Sequence, residues 1–283
     1  MGILWMLVTV LCFTSLDTLV KYLLETYSLV QVTWARFFFA TIVAAVAAGP
    51  SLPRVVKTKA PTMQLTRSLL LALTTALFNA GIRIVPLATA TTIMFLAPIL
   101  VTVLSVPLLK EHVGPRRWFG VLVGFVGALI VVRPWESHAG LFISGALFLL
   151  IAALLNASYQ IATRKVRLFD EPLTSMFYTS VIGALVTTVF VPWHWQWPGA
   201  TDWLLLIGTG LLGGIGHLFL IRAFRQAPAS VVAPFSYSSL IWAALFGWLF
   251  FAEWPDYWTW LGAALIIGSG LYIFHRERQH RHN

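Results

Sequence analysis

The chain has 283 residues, 59% of them hydrophobic and only 10% charged, with a mean hydropathy of +0.83. Globular domains carry about 25% charged residues, so a water-soluble enzyme of this length is excluded and a membrane protein is indicated. The formal charge of +9 then has to be read first as a topology signal, and the single cysteine, Cys12, rules out an intrachain disulfide or a cysteine-based zinc cluster.

Apolar windows between breakers predict ten spans, at residues 3–22, 31–48, 65–85, 88–109, 115–132, 141–163, 173–191, 203–223, 230–251 and 257–274. The loops left over are too short for a soluble domain. The first span lacks a basic leader and a small-residue cleavage site, so it is expected to be a retained helix rather than a signal peptide. The predicted fold class is an all-α integral membrane bundle of ten transmembrane helices.

Cations fall almost entirely on one side. Arg54, Lys57, Lys59, Arg67, Lys110, Arg116, Arg117, Arg164, Lys165, Arg167, Arg222, Arg225, Arg276, Arg278 and Arg281 share the face of the amino terminus, against Lys21, Arg83 and Arg133 opposite. This bias predicts cytoplasmic N and C termini and an even number of spans, and it explains the charge without nucleic acid.

Shifting the sequence on itself by 142 residues aligns 83–129 with 225–271 without a gap. Arg83 meets Arg225, Pro86 meets Pro228, Ile99 meets Ile241, Glu111 meets Glu253, Trp118 meets Trp260, Gly120 meets Gly262 and Leu129 meets Leu271. Two units follow, 1–137 and 138–283. Each holds five spans, so the second must enter the membrane from the opposite side, an inverted repeat of the kind that underlies alternating access.

The segments 88–120 and 230–262, with their "LLKE" or "FFAE" ending followed by a W-x-G helix opening, resemble the EamA-type transporters of the drug/metabolite transporter superfamily. The resemblance covers essentially the whole chain. It implies an inner-membrane carrier, usually an exporter of amino acids or other small metabolites, with helices one to four and six to nine around a central cavity and helices five and ten peripheral. The aromatic amino acid exporters of that family are similar in size and layout.

Two motifs are discounted. Gly208, Gly210 and Gly213 form a G-x-G-x-x-G inside a continuous span and read as helix packing, and the sequon at Asn156 lies within the sixth span. Gly120 and Gly124 form a G-x-x-x-G whose partner, within the chain or in a second protomer, is left open; monomer and homodimer are both open.

Asp17 is the one carboxylate within a span; Glu25, Glu111, Glu136, Asp170, Glu171, Asp202, Glu253, Asp256 and Glu277 fall in loops or at span ends. Asp17 is either an ion pair with Lys21 and Arg36 that locks the first two helices or a gating and proton-coupling site, and His217 is either a packing residue or a second titrating group. Pro98 and Pro234 are expected to act as hinges, freeing backbone carbonyls near mid-membrane. Around them Met94, Phe95, Ser236 and Tyr237, with Asn79, Asn156, Tyr159 and Gln160, supply candidate contacts to substrate, and Trp34, Phe78, Tyr178 and Trp242 candidate aromatic walls. For each amide, hydrogen bonding between helices is the competing role.

With Arg36 as the only in-span cation, a phosphorylated substrate is disfavoured and a neutral or zwitterionic solute with an apolar part is expected. A small molecule and lipid are the expected partners, with no cofactor and no metal. No enzyme constellation is present in the sequence, and the functional rival is a passive pore.

Overall fold

The computed structural model of the protein describes residues 1–111, 113–135 and 140–280. Its helices are α1 (Gly2–Leu23), α2 (Leu29–Ala48), α3 (Pro61–Ile82), α4a (Leu87–Met94) with α4b (Leu96–Leu109), α5 (Pro115–Val132), α6 (Gly140–Val166), α7 (Pro172–Phe190), α8 (Ala200–Gln226), α9 (Ser239–Phe251) and α10 (Tyr257–His280). A 3-10 stretch, Ala233–Ser238, leads into α9. Among the described residues ten helical segments are long and apolar enough to cross a bilayer, as the hydropathy pattern predicts. The predicted boundary between the two units, at 137/138, lies outside the described residues.

Eight helices close a ring in the order α1, α8, α2, α7, α3, α6, α4, α9 and back to α1, while α5 and α10 pair with each other outside it against α4. Exchanging the first five helices for the last five maps the α1–α8 contact onto α6–α3, α2–α8 onto α7–α3 and α4–α6 onto α9–α1. It returns α2–α7, α4–α9 and α5–α10 to themselves. The pairing pattern is therefore two-fold.

One helix, α3, is built inside out relative to a helix of a soluble bundle. In α3, Leu65, Leu69 and Leu73 are exposed to the lipid side, whereas Gln64, Arg67, Ser68, Thr75 and Asn79 are buried. Interior hydroxyls on α1 are satisfied locally: Thr9, Thr14 and Thr18 donate to the carbonyls of Trp5, Val10 and Thr14, which makes them tolerable in hydrocarbon.

Close backbone approach comes from glycine. A Cβ on Gly210 of α8 would sit 2.2 Å from Phe39 Cβ and 2.8 Å from the Ala40 nitrogen of α2. Gly127 and Gly262 face each other across α5 and α10, each placing a would-be Cβ within 3 Å of the other's carbonyl oxygen. Gly120 and Gly124 likewise meet Ile273 and Ser269 of α10, so the G-x-x-x-G face is used within the chain.

The loops are tied across the ring by equivalent devices. On the face that carries the termini, Asp170 accepts from Thr58, from the Lys59 N–H at 3.0 Å and from Gln64 at 2.8 Å. On the opposite face, hereafter the distal face, Ser28 donates to the His194 carbonyl and Gln31 exchanges two bonds with the backbone of Gln196. Partial burial alone would raise the Asp170 carboxyl, but the Lys59 N–H and the Thr58 and Gln64 side chains hold it below the ordinary carboxylate value.

Two outcomes are expected. Gly210→Val should overpack the α2–α8 seam by about 1–3 kcal/mol and lower the melting temperature in detergent by several degrees, whereas Gly268→Val, with nothing within 4 Å of its would-be Cβ, should be tolerated. Because the folded Asp170 pKa is depressed, the stability of its tie is present above the unfolded value of about 3.9 and lost as pH falls through the folded one. Melting curves from pH 5 to 3 should therefore drop more steeply for the parent protein than for Asp170→Asn.

Candidate functional site

Both halves interrupt the helix facing the ring's interior. The first break falls at Phe95 between α4a and α4b, and the second is the 3-10 stretch ending at Ser238. Phe95 and Tyr237, equivalent under the 142-residue shift, meet edge to face with ring centroids 4.9 Å apart. Met94 and Ser236 flank them, with the Ser236 hydroxyl returned to the Ala233 carbonyl at 2.7 Å. The prolines do not act as mid-helix hinges: Pro98 lies in the first turn of α4b, after the break, and Pro234 lies within the 3-10 stretch. The breaks are in register although the prolines are not.

A small cavity opens between α2, α3, α6, α7 and α8, lined among others by Arg36, Arg67, Tyr159, Thr179, Ser180 and His217. Arg67 is only 4% exposed. Its Nε donates to Thr163 Oγ1 at 2.7 Å, Nη1 to the Ser175 carbonyl at 2.8 Å and to Thr179 Oγ1 at 2.5 Å, and Nη2 to Tyr159 Oη at 2.8 Å. The guanidinium also lies 4.8 Å from the Tyr159 ring centroid, so its charge is spread over α3, α6 and α7. Arg36 is different: among the described residues it makes no hydrogen bond and no ion pair. His217 donates from Nδ1 to the Gly213 carbonyl at 2.9 Å and meets Phe13 edge-on at 5.0 Å.

Several sequence-based expectations need correction. Arg67, counted among the loop cations, is inside the bundle, so Arg36 is not the only in-span cation. Lys21 does not pair with Asp17; its Nζ lies 2.7 Å from Glu253 and donates to the Val85 carbonyl at 3.2 Å. Asp17 and Arg36 interact electrostatically without reaching ion-pair distance, so the proposed lock between α1 and α2 is not formed.

Of the candidate substrate contacts, Tyr159 lines this cavity and the others lie elsewhere. Asn79 is fully buried and donates to Thr33 Oγ1 at 3.0 Å, a bond between α3 and α2. Phe78 packs in the main apolar core. Trp34 donates to Thr188 and stacks on Phe38. Tyr178 donates to the Val56 carbonyl near the terminal face. Asn156 accepts from Gln160 along α6, and Trp242 packs beside Met6 and Val10. What the sequence did offer, and the reading missed, was the polar stripe Gln64, Arg67, Ser68, Thr75 and Asn79 at helical spacing on one face of α3.

The two "E" positions form matched ties at opposite ends of the ring. Lys110 and Ala252 both adopt left-handed backbone, with φ of 55° and 56°. The N–H groups of Glu111 and Glu253 return to the carbonyls of Ser105 and Gly247. The turns aim the carboxylates at the neighbouring helix: Glu253 takes Lys21 of α1 and Glu111 takes Arg164 of α6 at 3.0 Å. The ties differ in environment. Side-chain exposure is 8% and 28% for Lys21 and Glu253, but 52% and 36% for Arg164 and Glu111.

The profile of the EamA-like transporter family matches residues 1–133 and 143–274. The chain belongs to this family. Among EamA relatives, an S-adenosylmethionine uptake transporter of Rickettsia prowazekii is 30% identical over 98% of this chain and 94% of its own. A riboflavin transporter of Vibrio cholerae is 31% identical over 96% and 92%, and the pseudopaline exporter CntI of Pseudomonas aeruginosa is 28% identical over 94% and 93%. A solved crystal structure aligns over 98% of both chains with a TM-score of 0.64 at 18% identity, a likeness of fold. The protein is thus an integral membrane transporter and not an enzyme, and its bacterial EamA relatives place it in the inner membrane.

For this EamA chain the placement of Arg67 generates an expectation. Arg67→Gln removes the charge and most of its donors, leaving acceptors on α6 and α7 without their partner, a loss of about 2–4 kcal/mol. Arg67→Lys keeps the charge but not the planar fork. Detergent melting temperatures should rank parent above Lys above Gln.

Proposed function

We propose that the protein is an alternating-access carrier for small neutral or zwitterionic metabolites with an aromatic or heteroaromatic part, amino acids among them, and that both termini are cytoplasmic. The observation that carries this reading is the two-fold ring in which matched helix breaks flank the interior and matched ion pairs close opposite ends. Two arrangements of such a ring, one with each end closed, are related by the exchange of halves, which is the geometric requirement of alternating access. The tighter burial of Lys21–Glu253 than of Arg164–Glu111 supports a state closed at the distal end.

The substrate class rests on the cavity lining and on the relatives. Arg67 has four of its five N–H donors engaged by protein groups and Tyr159, Thr179 and Ser180 are neutral, so Arg36 is the main cation left for an anionic group, less than a phosphate ester calls for. S-adenosylmethionine, named for the Rickettsia relative, has the amino-acid head and the heteroaromatic part of the proposed class, with a sulfonium charge in addition. Since the relatives' names include both uptake and export, export is the family default adopted here and not a consequence of the fold.

Counterflow in proteoliposomes tests the proposal. Uptake of labelled phenylalanine or S-adenosylmethionine should saturate and be stimulated several-fold by unlabelled substrate preloaded inside; flux linear in the gradient and indifferent to preload would indicate a pore. Glu253→Gln should change the exchange rate by several-fold while the protein stays folded, and Glu111→Gln by less, because the Lys21–Glu253 tie is the more buried of the two and an exposed pair is worth about 0–1 kcal/mol.

A further inference from the structure

We infer that Arg36 and Asp17 form a divided charge clamp that selects substrates carrying both a carboxylate and an ammonium group. This inference rests on the carrier reading above and assigns the polar head of the substrate to particular side chains.

An ionised group within a bilayer-spanning bundle is costly and normally finds a partner. Two other cations buried in the bundle have one: Arg67 has four hydrogen bonds, and Lys21 has Glu253 and Val85. Arg36 and Asp17 do not. Both lie deep among the helices while remaining partly open to internal space. They feel each other's charge, yet among the described residues neither makes a hydrogen bond or an ion pair.

Arg36 lines the cavity. Asp17 is placed beside it by its own helix. Phe13, one turn earlier on the same face of α1, meets the cavity-lining His217, and Leu16 comes within 3.1 Å of a Cβ built on the cavity-lining Gly213. Arg36 faces the cavity and Asp17 lies on the helix packed beside it, and opposite charges held apart rather than joined are complementary to a solute whose own charges are a few ångströms apart. The planar guanidinium matches a carboxylate bidentately, and the carboxylate of Asp17 suits an ammonium group. The aromatic remainder then lies toward Tyr159 and the apolar wall. A solute lacking one charge leaves its partner buried and unpaired, which gives discrimination larger than a lost contact.

The test uses four probes on the full-length protein in proteoliposomes, as inhibitors of and as substrates for counterflow: phenylalanine, phenethylamine without the carboxylate, 3-phenylpropanoate without the amine, and riboflavin without either. The clamp predicts that phenylalanine competes about 100-fold better than either truncated analogue, since each lost charge-assisted contact is worth about 3 kcal/mol. In Arg36→Gln the preference for phenylalanine over phenethylamine should collapse while that over 3-phenylpropanoate persists, and Asp17→Asn should show the converse; Arg36→Lys should restore part of the first. If riboflavin or phenethylamine exchanges as well as phenylalanine in the parent protein, the clamp is wrong while the carrier reading stands. If no probe exchanges in inserted, folded protein, the substrate class falls and the clamp with it. Loss of both preferences together in either variant would overturn the assignment of one charge to each residue.

Discussion

Inside a bilayer the hydrophobic effect does not draw one apolar helix onto another, so contact has to come from close backbone approach and from polar groups that have no water to turn to. Both are visible in this chain. Gly210 lets α8 settle against α2, and Gly127 with Gly262 lets α5 and α10 touch backbone to backbone. Arg67 then ties α3 to α6 and α7 through a single guanidinium. Seams of this kind allow the ring to be tight where glycine lies and hollow where polar side chains face inward.

The same constraint separates structural from available charges. A cation with four of its five donors used is part of the scaffold, whatever its depth, and Arg67 is one. Arg36 lines the same cavity and makes no hydrogen bond through its side chain among the described residues, which is why the proposal gives it the solute. At the ends of the ring the charges do different work. Left-handed residues at 110 and 252 end α4 and α9 abruptly, and the following glutamates reach a basic residue on the helix next in the ring. These are ties near the aqueous boundary, where water can replace a partner at modest cost, and so they are suited to being broken.

The ten spans and the family likeness of the "LLKE" and "FFAE" segments were legible because hydropathy and recurring motifs are properties of long stretches; the ion pairs of Glu111 and Glu253 were not read from them. Side-chain pairing was less so. Lys21 is one turn from Asp17 in sequence, and local spacing favoured that pair. Its actual partner, Glu253, is brought in by ring closure between α1 and α9, which no local pattern encodes. Arg67 was read as a loop cation because charge counting weighs position relative to a predicted end and ignores helix face; the buried stripe from Gln64 to Asn79 carried the missing information. The helix breaks were anticipated through Pro98 and Pro234. Their location instead follows Phe95 and Tyr237, which are equivalent in the repeat.

The central claim is that the two ends of the ring open in alternation. Spin-label distances measure it most directly, in a Cys12→Ser background with one label pair at the distal end, Tyr22→Cys with Trp254→Cys, and one at the terminal end, Leu108→Cys with Leu168→Cys, all four positions being exposed. On addition of phenylalanine or S-adenosylmethionine in lipid, the account predicts that one pair lengthens as the other shortens. Two distances that stay fixed, or that widen together, would contradict it.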